Sequence, residues 1–160
     1  MAPEVPLAGG LSLGALTGAG ALASLFLLGS TTRTADDDAR PENVVRGGVS
    51  ARESLQDGVS KLTVLPGEYG ISSSYDPRLS VDQIAQVARY PNKQITWTTA
   101  PQLNALGYRV VPTPIFTGPN PNPLHADILL PNGQTILTDE QADALSAIFH
   151  RRPNPYVAPR

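Results

Sequence analysis

An uncharged apolar segment, from Pro6 to Ser30, lies near the start of the chain and limits how it can fold. As a helix its 25 residues would extend about 37 Å, enough to cross the roughly 30 Å hydrocarbon core of a bilayer. Gly10, Gly14 and Gly18 recur at every fourth residue and would share one helical face, where another helix can approach closely. This glycine zipper predicts that residues 1–30 form an apolar helical arm, which either spans a membrane as a transmembrane helix or lies buried in a partner.

Two other interpretations of the arm stay open. A secretory signal peptide also contains an apolar stretch, although a basic region normally precedes it and only Glu4 does so here. A flexible tail is the other interpretation, because Gly and Ser dilute the hydrophobicity. For a spanning helix, Arg33 and Arg40 favour the following side as cytoplasmic.

An acidic linker, residues 31–42, follows the arm. It contains three consecutive aspartates, Asp36 to Asp38, and ends near Pro41. These carboxylates are adjacent on a solvated segment and lack the spacing and glycine of a calcium-binding loop. We therefore expect no metal site here. The sequence therefore predicts a folded domain at residues 43–156 and a short tail at 157–160.

Composition excludes several kinds of function. The chain has no cysteine and two histidines, so thiolate chemistry is excluded and a zinc site is not expected. The net charge is -2 and no basic stripe is present, so no nucleic-acid partner is expected. The 14 Gly and 16 Pro residues favour short elements joined by ordered loops.

Helix and strand signals alternate through residues 43–156. Capping-box pairs, a hydroxyl residue followed three positions later by Glu or Gln, begin at Ser50, Ser80, Thr99 and Thr138. Gly58 and Gly107 are expected to end the first and third helices in the left-handed conformation. The predicted fold class is α+β, with a small mixed or antiparallel sheet and short flanking helices.

The predicted strands are runs rich in β-branched or aromatic residues. They are Asn43–Arg46, Lys61–Leu65, Gly70–Tyr75, Gln94–Thr99, Tyr108–Pro112 and His125–Leu130. Pro131-Asn132-Gly133 predicts a hairpin turn that pairs Leu129–Leu130 with Thr135–Leu137. Trp97 lies mid-strand and is expected to anchor the core.

Candidate ligand-binding residues lie beside these strands. Arg46 closes a strand before Gly47-Gly48, where a guanidinium and backbone amides could bind a phosphate. The alternatives are a surface arginine or a structural ion-pair partner at Arg46, and a tight strand-to-helix turn at the glycines. In Ser72-Ser73-Ser74, the outer two residues share one face and Ser73 takes the other. These small hydroxyls leave room for a ribose, or they line a polar edge strand.

His125 starts a predicted strand directly after the Pro-rich loop 118–123. Its ring could either hold the loop by hydrogen bonds or contact a ligand. We predict that His125 shares a cleft with Arg46 and Ser73 and that the Pro-rich loop forms one wall.

Several stretches together resemble a group of small bacterial toxin-like domains. They are "NVVRGG", "GISSSY", "PNKQITWTTAPQLNALGYRVVPTP", "NPLHADILL", "LTDEQADAL" and "RPNPY". That group in turn is similar to the ADP-ribosyltransferase-like toxins among type VI secretion effectors. The resemblance covers residues 43–156 and not the arm.

This resemblance implies an ADP-ribosyltransferase-like fold that uses NAD, without a metal. Arg46 would match the first-strand arginine that contacts NAD, Ser73 the second-strand serine and His125 the histidine of a later strand, making these three the candidate catalytic residues. Arg46, Gly47, Gly48, Ser72 and Ser74 would bind the cofactor. The family's strand glutamate has no counterpart, and the nearest candidate, Glu140, falls in the first turn of a helix, where it stabilises the helix dipole.

Two interpretations of function follow. The first is a delivered effector toxin, associated with a membrane, chaperone or secretion apparatus through residues 6–30 and neutralised by an immunity protein. The second is a non-enzymatic α+β binding module, tethered through the arm to a membrane or a large assembly. Convergence of Arg46, Ser73 and His125 on one cleft would favour the enzyme.

Overall fold

The computed structural model describes residues 41–159, whose fold is α+β with a seven-stranded antiparallel sheet and short helices. The strands are β1 (Asn43–Gly47), β2 (Val59–Lys61), β3 (Tyr69–Tyr75), β4 (Gln94–Thr99), β5 (Arg109–Pro112), β6 (His125–Leu129) and β7 (His150–Pro153). The helices of this part are α1 (Arg52–Asp57), α2 (Val81–Ala88), α3 (Ala100–Ala105) and α4 (Asp139–Ala147).

The arm predicted at residues 1–30, and the linker up to Arg40, lie outside the described residues. Within residues 41–159, no helix combines the length and apolar character that a membrane span requires.

The sheet has the strand order β5-β6-β3-β1-β4-β7, and β2 pairs with β3. One edge of β3 is occupied along its length by β6, so β1 and β2 share the other edge. On that edge, β1 pairs with Ser74 and Tyr75, and β2 pairs with residues 69–71. A gap between the two strands therefore lies beside Ser72 and Ser73.

Alternation along the strands creates two apolar layers. On one face of the sheet, Val44, Ile71 and Ile128 pack with buried residues of α1, α3 and α4; we name this the three-helix face. On the other, Val45 and Ile95 pack with one side of α2; we name this the α2 face. Each large aliphatic side chain buried in this way contributes about 1.5–3 kcal/mol.

Three of the four predicted caps are confirmed. Ser80 and Thr138 form complete capping boxes at α2 and α4, and Thr99 accepts from the Gln102 amide at α3. Ser50 is not a cap, because α1 begins after Ala51 without a side-chain bond. Gly107 has the predicted positive φ of 95°. The first helix ends at Gly58 as predicted, but the left-handed conformation predicted there is wrong, because its φ is -79°.

Four strands, β1, β3, β5 and β6, lie within one residue of their predicted ends, and a fifth, β4, matches its prediction residue for residue. The strand predicted at Lys61–Leu65 is wrong in place, because β2 ends at Lys61 and the next residues turn toward β3. The predicted hairpin is also wrong. Residues 131–133 form a single 3-10 turn with Asn132 left-handed, and the Leu130 amide bonds to the Tyr69 carbonyl. The exposed strand β7 was not predicted.

Candidate functional site

The two sheet faces divide the candidate residues. Ser74 lies opposite Val45 on one side and His125 on the other, which puts Ser72, Ser74 and His125 on the α2 face. Arg46 and Ser73 belong to the three-helix face, because adjacent residues of a strand point to opposite sides. The prediction that His125 shares a cleft with Arg46 and Ser73 is therefore wrong.

Arg46 lies at the gap between β1 and β2, beside Ser72. Its Nε donates to the Ser72 carbonyl at 3.1 Å and its Nη1 to Ser50 Oγ at 2.9 Å. Ser50 Oγ in turn lies 2.6 Å from Thr96 Oγ1. Burial lowers the pKa of the guanidinium, and no salt bridge to Arg46 is present among residues 41–159. These bonds tie β1 to β3 and to the segment before α1, which is a structural role.

Ser73 and the glycine pair Gly47-Gly48 also have structural roles. Ser73 is buried, with 2% of the residue exposed, and its Oγ donates to the Ala126 carbonyl. The Gly48 amide donates to the Gln94 carbonyl at 2.8 Å, with φ at 82°. A Cβ at Gly47 would collide with Tyr90 and Asn92. Tight packing and a turn thus account for both glycines.

The His125 ring is held by hydrogen bonds at both nitrogens. Nδ1 lies 3.0 Å from the Thr113 carbonyl and 2.9 Å from Thr113 Oγ1. Since a carbonyl can only accept, Nδ1 carries the proton, and Nε2 accepts from Ser72 Oγ at 2.7 Å. Thr113 Oγ1 then donates to Asp127 Oδ2 at 2.7 Å. The ring therefore holds Thr113, directly after β5, and not the Pro-rich loop 118–123 that the prediction named, while its Nε2 faces an exposed hydroxyl.

A second hydrogen-bond chain ties the Pro-rich loop to the sheet. Asn122 Nδ2 donates to Ser74 Oγ at 2.8 Å, and Ser74 Oγ lies 2.6 Å from the Tyr90 hydroxyl. That hydroxyl donates to the Val45 carbonyl at 2.8 Å. The loop is closed on itself by backbone bonds between Ile115 and Asn122. This wall of the site is consequently well ordered.

A pocket of about 500 Å³ lies between this loop and the end of α2. Ser72 and His125 line it, together with loop residues 119–122, Ile115, residues 88–91 and Tyr156. A smaller pocket of about 250 Å³ shares Ser72, Ile115 and His125 and extends toward Asp127. The prediction that the Pro-rich loop forms a wall beside His125 is confirmed.

Arg89, Tyr90 and Tyr156 complete the pocket and were missed in the sequence. Arg89 follows α2 in the left-handed conformation, with φ at 55°, and is exposed. The sequence contained one signal for this position, "RYPN" after the predicted helix. A proline favours a helix end just before it, which would place Arg89 and Tyr90 at the end of α2. Aromatic rings suit a flat apolar group, hydroxyls and imidazole suit a sugar, and arginine suits an anion.

Replacing Tyr90 with Phe should make the loss of stability at alkaline pH shallower. Burial raises the pKa of Tyr90 to about 12, from an ordinary value of about 10. The folded state therefore retains a proton that the unfolded state loses, so this stabilisation is complete below about pH 10 and is lost as pH rises toward 12. Denaturant titrations from pH 7 to 12 measure the effect.

In the Tyr90→Phe variant the lost hydrogen bonds should cost about 1–2 kcal/mol at pH 7. The decline above pH 10 should become smaller without disappearing, because burial also raises the pKa of Tyr75 and Tyr108. An unchanged alkaline decline would show that the Tyr90 hydroxyl is not buried in this network.

Glu140 lies in the first turn of α4, as predicted, and no glutamate lines the His125 pocket among the described residues. Within residues 41–159, no three metal-ligating side chains come together. Asp127 belongs only to the adjoining smaller pocket.

No protein-family model, curated protein or solved structure matches the chain, so inference about its function rests on its own geometry.

Proposed function

We propose that residues 43–156 form an effector toxin domain with an ADP-ribosyltransferase-like fold, which binds NAD or a nucleotide-like ligand beside His125. The observation that carries this proposal is the pocket in which Ser72 and His125 lie between a rigid Pro-rich wall and Arg89, Tyr90 and Tyr156. Its volume is within the range of small-molecule sites. An arm at residues 6–30 would serve delivery, and an immunity protein would protect the producing cell.

The lining residues divide according to the parts of a dinucleotide. The guanidinium of Arg89 can bind diphosphate oxygens in pairs, which makes it the phosphate ligand in place of Arg46. Tyr90 and Tyr156 offer faces for a base or nicotinamide ring. Ser72 and His125 reach sugar hydroxyls. Because the loop is already bonded to the sheet through Asn122, little ordering entropy is lost on binding.

NAD, when bound, would supply ADP-ribose, with a bond from the ribose C1′ to a nucleophile of the target or to water replacing the bond to the departing nicotinamide. Such a step depends mainly on gripping the diphosphate and positioning the ribose. Ser72, held by His125, and Arg89 would perform these two tasks. Arg46 would contribute indirectly, since its Nε bond to the Ser72 carbonyl positions that residue.

A non-enzymatic binding module is the second candidate. It is favoured by the absence of a glutamate from the pocket lining that the structure describes. In this case the same pocket would hold a nucleotide-like ligand without cleaving it. Ligand binding is common to both candidates, and nicotinamide release separates them.

Expression of the full chain in a bacterial cytosol, with and without His125→Asn, tests the proposal. The wild-type protein should arrest growth and release nicotinamide from NAD. His125→Asn should abolish both effects, because an amide cannot hold Ser72 and Thr113 with ring geometry. His150→Asn is the matched control, since His150 is exposed and stacks on Trp97 away from the pocket.

The results separate the candidates. Binding of NAD without nicotinamide release would support the binding module. Absence of NAD binding by the purified wild-type protein in calorimetry, or equal effects of the two histidine substitutions, would contradict the proposed site.

A further inference from the structure

The contact between Ser72 and His125 has the geometry of an activated nucleophile. Ser72 Oγ lies 2.7 Å from Nε2, within the distance that proton transfer requires. Ser72 is exposed on the sheet, and it lines both pockets beside His125. The hydroxyl is thus open to a reactant from two directions.

The proton arrangement also fits a general base. Because Nδ1 must donate to the Thr113 carbonyl, the neutral ring presents an unprotonated Nε2 to the serine. Thr113 Oγ1 accepts from the same Nδ1 and donates to the buried carboxylate of Asp127. This arrangement fixes the ring orientation and places a negative charge beyond it, which would stabilise an imidazolium.

We infer that Ser72 is a nucleophile activated by His125 and that it accepts an acyl group from a small ester. Ser72 Oγ forms a bond to the carbonyl carbon while its proton moves to Nε2. The ester C–O bond then breaks, and the departing alcohol takes that proton from the imidazolium. Water, deprotonated by His125, releases the acid and restores the serine.

This activity differs from the proposed nucleotide chemistry and does not rest on it. Binding of NAD requires Arg89 and the aromatic rings, whereas acyl transfer requires the hydroxyl and imidazole alone. A protein that reacts at Ser72 without binding NAD, or that binds NAD without reacting at Ser72, would separate the two.

Labelling of the full chain with an alkyl fluorophosphonate tests the inference. Ser72 Oγ should bond to phosphorus as fluoride leaves, and mass spectrometry should locate the adduct at Ser72 within residues 62–78. His125→Asn should slow labelling about 100-fold or more, as expected for loss of a general base. Ser146→Ala, which removes a partly exposed serine from α4, away from both pockets, should leave the rate unchanged.

Circular dichroism identifies folded variants, and His125→Gln replaces the Asn variant should the latter not fold. Slow hydrolysis of p-nitrophenyl acetate, lost in Ser72→Ala, would support turnover beyond a single acylation. Labelling of Ser72 no faster than that of Ser146, or an equal rate in a folded His125 variant, would overturn the inference and leave the contact purely structural.

Discussion

Arg46→Ala is expected to lower the free energy of unfolding by about 3 kcal/mol. The substitution removes the donor to the Ser72 carbonyl, where the bond is exposed, and the donor to the buried Ser50 Oγ, and loss of a partner at a buried polar group costs about 1–3 kcal/mol. It also empties the gap where β1 and β2 diverge along β3. Urea denaturation, followed by circular dichroism, measures the change.

Two further variants separate the loss of hydrogen bonds from the loss of volume and of charge. Arg46→Met keeps most of the volume without donors, so its loss should be smaller than that of the alanine variant. Arg109→Ala removes an exposed strand arginine and should change stability by less than about 0.5 kcal/mol. Stability unchanged in Arg46→Ala, combined with lost NAD binding, would contradict the structural role and restore the predicted phosphate contact.

Arg89→Gln is expected to weaken NAD binding at least tenfold. An arginine that binds phosphate oxygens through charged hydrogen bonds contributes about 1.5–3 kcal/mol, and about 1.4 kcal/mol corresponds to a factor of ten. Stability should change little, because Arg89 is exposed and its helix-ending bond uses the backbone amide. Titration calorimetry on the full chain measures the affinity.

Arg151→Gln is the matched control for charge. It removes the same charge from the pocket near Gly47 and Gly48, where the sequence suggested a phosphate site. Its affinity for NAD should match that of the wild-type protein. The opposite order, with Arg151 essential and Arg89 dispensable, would place the ligand at the glycine pair.

Local signals allowed much of the fold to be predicted. Ser80 and Thr138 start helices because the reciprocal bonds of a capping box lie within four residues. The run 94–99 is a strand because its residues are β-branched or aromatic. By contrast, β7 has the sequence "HRRP" and is exposed throughout, so pairing with β4 alone makes it a strand.

The candidate site was harder to predict, because it depends on register. Alternation correctly separated Ser73 from Ser72 and Ser74, and the position of His125 after a stiff loop correctly indicated a pocket wall. The face on which Arg46 lies depends on the pairing of β1 with strands distant in sequence. A shift of one residue in that pairing would move every side chain of the strand to the opposite face. The gap between β1 and β2, and the approach of Arg89 and Tyr156, arise only in the assembled sheet.

Hydrogen–deuterium exchange of the full chain, with and without saturating NAD, tests most directly whether a nucleotide binds on the α2 face. Binding beside His125 should slow exchange at residues 88–91 and 115–125, the two sides of the pocket. Exchange at residues 47–50 and 151–153 should remain unchanged. Protection confined to the latter segments, or no protection at saturation, would contradict the proposed site.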